Sequence, residues 1–117
     1  MESTIKIISD KISLAELKQM AEDRFGDLVK AVVDVSKKHL AFDAELHSDL
    51  EAMLLEAGSD QKNLWGINIY PGLEGDEFVE FDSMINVRPS QGNRSRGVDN
   101  PALRSEILSI VKEKIMP

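Results

Sequence analysis

The sequence predicts an α+β domain with a mainly antiparallel sheet of about five strands and three helices, in the order β-α-β-β-α-β-β-α. Short stretches rich in branched residues alternate with segments of helical periodicity, which separates the strands from the helices. The strands also come in consecutive pairs, which favours hairpins and therefore antiparallel pairing. The 117 residues suit a single domain spanning residues 1–117. We expect the helices to cover one face of the sheet.

The first strand and the first helix are predicted near the N-terminus. Residues 4–8 (TIKII) are short and rich in branched side chains, which is typical of a strand. A helix over about 14–24 follows, because Ser13 and Glu16 have the spacing of a capping box. We expect the Ser13 side chain to accept from the Glu16 amide and the Glu16 side chain to reach back.

A β-hairpin is predicted from residues 28–35 and 39–47. With a two-residue loop at 37–38, Val33 faces Phe42, and every apolar pair lies on one side of the sheet. A lysine pair is not a favoured sequence for such a tight turn, so a loop one residue longer stays open as an alternative.

A second helix and a second pair of strands follow the hairpin. Ser48 has the spacing of another capping box and opens a helix over about 48–57, which Gly58 ends. Residues 64–70 and 78–88 both alternate apolar and polar side chains and are predicted as strands.

Prolines mark the last strand end and the last helix start. Pro89 cannot donate to a sheet ladder and ends the strand before it. Asn100 is predicted as the cap of the last helix, with Pro101 at its first position.

Arginine is concentrated near the C-terminal end of an acidic chain. Four of the five arginines lie between residues 84 and 104, where Asp99 is the only acid, although the whole chain carries a net charge of −7. Guanidinium groups bind phosphate and carboxylate through paired hydrogen bonds. We therefore predict an anionic small molecule, bearing a phosphate or a carboxylate, as the ligand. The alternative is that these arginines pair with the protein's own carboxylates, such as Asp82.

Strand parity places further polar side chains on one face of the sheet, beside the arginine loop, which we define as residues 90–98. In the simplest pairing Gly66 lies opposite Asp82 and leaves room for a ligand over the sheet. The predicted ligand-binding residues are Asn68, Asp82, Asn86, Arg88, Asn93, Arg94 and Arg96.

The candidate catalytic residues are Glu45 and His47, which share one face of the predicted strand. An imidazole oriented by a carboxylate can act as a general base. The structural alternative is that Lys30 simply neutralises Glu45 across the hairpin. We predict no metal site and no cofactor, and the absence of cysteine excludes thiolate chemistry.

Composition also restricts location and partners. The chain has no signal-like segment and no apolar stretch of membrane-spanning length, which predicts a cytoplasmic protein without membrane contact. The negative net charge argues against binding to a long nucleic-acid duplex. Met84, on the outer face of its predicted strand, suggests a homodimer contact.

Four stretches carry a resemblance to a known family: KAVVDV from Lys30, ELH at Glu45, LWGINIYP from Leu64, and FDSMINVRPSQGNRSRGV from Phe81. They resemble a small bacterial protein family catalogued only as a domain of unknown function. The resemblance covers most of the chain from Lys30 to Val98. It implies no activity, cofactor or catalytic residue.

Two functions therefore remain open. The first is binding of an anionic small molecule on the sheet face. The second is a noncatalytic interaction module that docks an acidic partner protein or an RNA end. Arginines that converge on a pocket favour the first function, whereas arginines that splay from a protruding loop favour the second.

Overall fold

The computed structural model of the chain describes residues 5–117. A five-stranded sheet has the order β1-β4-β3-β5-β6, and every neighbouring pair is antiparallel. The predicted α+β class, five-stranded sheet and three helices are confirmed. The elements are β1 Lys6–Ile8, β2 Ile12–Ser13, α1 Leu14–Arg24, β3 Val29–Asp34, β4 His39–Phe42, α2 His47–Glu56, β5 Leu64–Ile69, β6 Val79–Glu80, α3 Pro101–Lys114 and β7 Ile115–Met116.

A separate two-stranded sheet was not predicted. β2 pairs in parallel with β7, with Ile12 opposite Ile115. Two-residue strands are too short to give an alternating pattern, so their sequences do not indicate them. The first residue of the predicted strand at 4–8, Thr4, lies outside the described residues.

The predicted caps of the first and last helices are confirmed. Ser13 Oγ accepts from the Glu16 amide at 3.2 Å, although the Glu16 carboxylate accepts from Lys6 Nζ at 3.0 Å. The Asn100 side chain accepts from the second and third amides of α3, and Pro101 is its first residue. These signals are reliable because each acts within one helical turn.

The helices pack on both faces of the sheet, so the expectation that they cover one face is wrong. α1 and α3 bury one core, and α2 buries a second core on the opposite face. The physical reason is that the central strands are apolar on both sides, and β5 is buried along its whole length. The second core consists of Val32, Ala41, Ala44, Leu50, Leu54 and Leu64.

The hairpin between β3 and β4 has a longer loop than the two-residue prediction. Val33 lies opposite Leu40 rather than Phe42, which shifts the register by two residues and keeps each side chain on its predicted face. Asp34 Oδ1 accepts from the backbone amides of Ser36 and Lys37, at 2.9 and 3.0 Å. The carboxylate thereby stabilises a four-residue turn, which is one residue longer than the alternative left open.

The prediction that β4 continues to His47 is wrong. β4 ends at Phe42, and Asp43 has a φ of 75°, which interrupts the extended backbone. Arg24 Nε donates to Asp43 Oδ1 at 3.1 Å and holds this corner. α2 then begins at His47 without a side-chain cap, so the predicted capping box of Ser48 does not form.

The predicted strand at 78–88 is also mostly wrong. Its ladder with β5 consists of two pairs and ends at Glu80. The chain then passes through two 3-10 helices, Met84–Asn86 and Pro89–Gln91. Arg88 and Asn93, on either side of the second of these, form an isolated antiparallel bridge.

Candidate functional site

The side chain of Asn86 explains why β6 stops. Asn86 Oδ1 accepts from the Gly66 amide at 2.8 Å, and Asn86 Nδ2 donates to the Gly66 carbonyl at 2.9 Å. The side-chain amide thus takes the place that a peptide group of a neighbouring strand would occupy. Asn86 is fully buried. It supports the sheet edge and does not face a ligand.

The room predicted over Gly66 is filled by protein. A Cβ atom built on Gly66 would lie 2.5 Å from Ser83 Cβ and 3.2 Å from His47 Cδ2. Glycine is therefore required here for the close approach of Ser83. The open space on this face lies further along the strand, at Asn68.

Asn93 organises the arginine loop from inside. Its Nδ2 group donates to the carbonyl oxygens of Asn86 and Gly97, both at 2.8 Å, and its Oδ1 atom accepts from the Asp99 amide at 2.8 Å. Asn93 is buried, with 4% of its surface exposed. Its position is structural, because its polar atoms are satisfied by backbone groups.

Arg88 points into the protein. Its guanidinium donates to the backbone carbonyls of Ile85, Gln61 and Leu64, and lies 4.2 Å from the centroid of the Trp65 ring. Burial lowers the pKa of Arg88 from its ordinary value. A guanidinium that is already bonded to these carbonyls has little capacity left for a ligand.

The remaining arginines of the segment diverge. Arg94 is exposed, and its backbone amide donates to Asp99, while its guanidinium has no ion-pair partner among residues 5–117. Arg104 stacks on Phe81, at 4.8 Å from the ring centroid. Arg96 Nε donates to Asp82 Oδ1 at 2.6 Å. The arginines thus do not converge on one anion.

A polar pocket of about 380 Å³ lies on the face of the sheet that carries α2, and we call it the sheet pocket. Lys30, Asn68 and Glu80 stand side by side on β3, β5 and β6, because Asn68 pairs with Lys30 on one side and with Glu80 on the other. The start of α2 and the Met84–Asn86 turn form the other walls. The polar groups lining the pocket include Lys30, His47, Asn68, Glu80, Asp82 and Arg96.

Asn68 carries a buried acceptor without a hydrogen-bond partner among residues 5–117. Its Nδ2 group donates to Glu80 Oε1 at 2.8 Å, which fixes the orientation of the amide, since a carboxylate only accepts. Its Oδ1 atom is buried and has no hydrogen-bond partner among the described residues. Asn68 is 7% exposed. An unsatisfied buried acceptor is unfavourable and marks a site where a donor from outside would bind well.

His47 is a buried titratable residue of the sheet pocket. It is 8% exposed, and its Nε2 atom lies 2.8 Å from the Ile67 carbonyl. Since a carbonyl only accepts, Nε2 carries the proton and Nδ1 is the acceptor of the neutral ring. Burial lowers the pKa of His47 below 6.5, and repulsion from Lys30 and Arg96 lowers it further, against the raising effects of the Ile67 carbonyl and Asp82.

Glu45 does not join His47. Its side chain is 74% exposed and lies 3.8 Å from Arg24 Nη1. The two residues were expected to share a strand face, but the chain turns at Asp43 and separates them. The Ile67 carbonyl has the orienting position that the sequence assigned to the Glu45 carboxylate.

The cations of the sheet pocket retain free donors. Arg96 uses Nε for its bond with Asp82, at an exposed site. Lys30 Nζ lies 5.1 Å from the centroid of the Phe25 ring, and no ion pair of Lys30 occurs within residues 5–117. The carboxylate of Glu80 accepts from both Asn68 and the Tyr70 hydroxyl. Glu80 also raises the pKa of Tyr70, after the effect of burial.

Sequence reasoning placed four of its predicted residues in this pocket and missed others. Asn68, Asp82, Arg96 and His47 line it, whereas Asn86, Arg88, Asn93, Arg94 and Glu45 do not. Lys30 and Glu80 were missed. Strand alternation was the signal that could have found Lys30, because it shares a face with Asn68.

A larger groove of about 470 Å³ lies beside the C-terminal helix. It is mainly apolar and has no cluster of titratable groups, so the sheet pocket is the better candidate for specific polar recognition. The apolar lining includes Phe78, Val79, Leu108, Val111, Ile115 and Met116.

Neither a metal-ligand cluster nor a membrane-spanning helix occurs in the described part of the chain. No group of three or more histidine, cysteine, aspartate or glutamate side chains within residues 5–117 is placed to hold a metal ion. Within the same residues, no helix has the length and apolar character needed to cross a membrane.

The fold and the pocket define a small α+β protein with a polar recess on one sheet face. Comparison with protein-family models places residues 6–114 in the family described as "Protein of unknown function (DUF5674)". The chain belongs to this family. A search of curated proteins found no match, and a search of solved structures found none either.

Proposed function

We propose that the sheet pocket binds a small molecule that bears a carboxylate or phosphate. The observation that carries this proposal is that two cations, Lys30 and Arg96, line the same polar pocket as Asn68, whose Oδ1 atom is buried without a hydrogen-bond partner among residues 5–117. The two cations would receive the anionic group, and Asn68 would accept from a donor on the same molecule. A volume of about 380 Å³ suits a small metabolite.

Charge around His47 supports this assignment. Lys30 and Arg96 both lower the pKa of His47, which indicates that both cations lie near its ring in the sheet pocket. A neutral imidazole whose Nε2–H group is held by Ile67 offers Nδ1 as a proton acceptor in the pocket. His47 is therefore the residue of this site that we would test for general-base chemistry.

The first experiment is thermal unfolding of the purified protein with phosphate and small carboxylates, against chloride at equal ionic strength. We expect an anion at saturating concentration to raise Tm, since a ligand that binds only the folded state stabilises it by about 2.7 kcal/mol at a hundred times its Kd. Chloride at the same ionic strength separates specific binding from screening.

Two arginine variants make the experiment specific to the pocket. Arg96→Ala removes a cation that lines the pocket, and Arg94→Ala removes one from the same loop that does not. We expect the stabilisation to be lost in the first variant and kept in the second. If no anion stabilises the protein beyond chloride, or if both variants lose the effect equally, the proposal is wrong.

A second function is favoured by one observation on the loop surface. Arg94 is exposed and lacks an ion-pair partner within residues 5–117, which is the arrangement expected of a contact for an acidic partner protein. Fluorescence anisotropy with a labelled acidic peptide would test this interaction module. Binding that Arg94→Ala abolishes and Arg96→Ala preserves would favour docking over the pocket ligand.

A further inference from the structure

The acceptors of the sheet pocket indicate a donor on its ligand. Asn68 Oδ1 is buried and has no hydrogen-bond partner in the described part of the chain, and the neighbouring Glu80 side chain carries negative charge next to it. Oε1 of Glu80 already accepts from Asn68 and Tyr70, which leaves Oε2 for a donor. A positively charged donor would form the strongest hydrogen bonds here, because hydrogen bonds that involve ionised groups are stronger than neutral ones.

The charges of the pocket are balanced. Lys30 and Arg96 are matched by Glu80 and Asp82, and all four side chains line the same recess. Asp82 is already paired with Arg96, whereas Glu80 has no ion-pair partner among residues 5–117, so a ligand with only a negative charge would leave Glu80 without a cation. A ligand that carries both an anionic and a cationic group can place its anionic group near the two cations and its cationic group near the carboxylates.

The rim of the pocket is apolar and exposed. Leu46 is 55% exposed and Met84 is 65% exposed, and both line the sheet pocket. Large apolar side chains at the edge of a polar pocket are typical of a binding site for a partly apolar ligand. Methionine adapts its shape to such ligands.

From these three features we infer that the ligand of the sheet pocket is a zwitterionic amino acid with an apolar side chain. This inference rests on the proposed function, since the carboxylate is the anion that Lys30 and Arg96 would hold. The ammonium group donates to Asn68 Oδ1 and Glu80, and the apolar side chain lies between Leu46 and Met84.

The test is isothermal titration calorimetry of the full chain with leucine and four relatives that each lack one feature. Isocaproate lacks the ammonium group, isoamylamine lacks the carboxylate, glycine lacks the apolar side chain, and inorganic phosphate tests the anion alone. We expect leucine to bind at least about tenfold more tightly than each of them, since about 1.4 kcal/mol corresponds to a factor of ten.

Two surface variants separate the contribution of the apolar rim from the effect of removing an exposed apolar side chain elsewhere. Met84→Ala should weaken leucine binding and leave phosphate binding unchanged. Leu55→Ala is the matched control, because Leu55 is also a large exposed apolar residue, at 41%, and does not line the sheet pocket. We expect Leu55→Ala to bind leucine as the wild type does.

The outcomes separate the amino-acid inference from the proposed anion-binding function. If isocaproate, glycine or phosphate binds as tightly as leucine, the amino-acid inference is overturned and the anion pocket stands. If neither leucine nor any of the anions binds, the inference and the proposed function both fall. Leucine binding that Met84→Ala leaves intact would also overturn the inference.

Discussion

The side-chain amide of Asn86 hydrogen-bonds both backbone polar groups of Gly66, with the Gly66 amide at 2.8 Å and the Gly66 carbonyl at 2.9 Å. One side chain therefore completes the edge of β5 where the β6 ladder has ended. The same Nδ2 group donates to the Arg96 carbonyl at 2.9 Å, which links the sheet to the arginine loop.

Asn86→Ala should destabilise the protein by about 3 kcal/mol, because it leaves buried backbone groups of Gly66 without partners. Urea unfolding would measure the loss. Asn100→Ala is the matched control, because Asn100 is an exposed helix cap whose removal costs about 1 kcal/mol. Equal losses in the two variants would contradict the structural role of Asn86.

Arg88→Lys should also destabilise the protein, by about 2 kcal/mol, although the charge is kept. A lysine cannot reproduce the planar fork that donates to the carbonyls of Gln61, Leu64 and Ile85. Arg94→Lys, at an exposed site, should change the free energy of unfolding by less than about 0.5 kcal/mol. A neutral effect of Arg88→Lys would show that these carbonyl contacts contribute little.

Gly66→Ala should destabilise the protein by about 1–3 kcal/mol, because the added Cβ would lie 2.5 Å from Ser83 Cβ. Gly72→Ala is the control, because no atom lies within 4 Å of its added Cβ. The double variant Gly66→Ala with Ser83→Gly should recover part of the loss, which a double-mutant cycle measures. If the effects of the two single substitutions simply add in the double variant, the close contact between residues 66 and 83 is contradicted.

The stability of the protein should fall as the pH decreases below about 6.5, in part because of His47. Its pKa in the folded state lies below 6.5, so the unfolded state takes up the proton first, and the effect ends once the pH is below the folded pKa. Above about 6.5 the ring is neutral in both states and contributes no pH dependence.

His47→Gln isolates this contribution, because glutamine can still donate an amide hydrogen but does not titrate. Urea unfolding at pH 7.5, 6.5 and 5.5 should show a steeper loss of stability in the wild type than in the variant. Parallel curves for the two proteins would mean that His47 does not have a lowered pKa.

Local signals in the sequence predicted much of the fold. Ser13 and Asn100 cap their helices as expected, since each acts on amides two or three residues away. The alternation of β5 correctly placed Trp65, Ile67 and Ile69 in one core. These features depend on neighbouring residues, which a sequence displays directly.

The failures share a different cause, which is competition from contacts distant in sequence. The apolar and polar alternation of residues 78–88 is real, but Asn86 takes the Gly66 backbone groups that a longer β6 would have used. Asp43 likewise ends β4 while paired with Arg24, which lies on α1. Neither partner can be read from the pattern of the strand itself.

The candidate site was predicted only in part for the same reason. Counting arginines revealed a concentration of charge but could not show that Arg88 donates to carbonyls of Gln61 and Leu64, far away in the chain. The predicted register and the predicted end of β4 together placed Lys30 opposite Glu45. In the structure β4 ends at Phe42, and on the other side of β3 Lys30 lies opposite Asn68.

The two buried amides of Asn86 and Asn93 have a consequence for recognition. They fix the backbone from Asn86 to Asp99 by hydrogen bonds within the protein, and Arg96, which lines the sheet pocket, lies on this segment. Binding of the proposed ligand would therefore cost little conformational freedom of this backbone. Crystal structures determined with and without a bound ligand should superimpose over the backbone of residues 86–99.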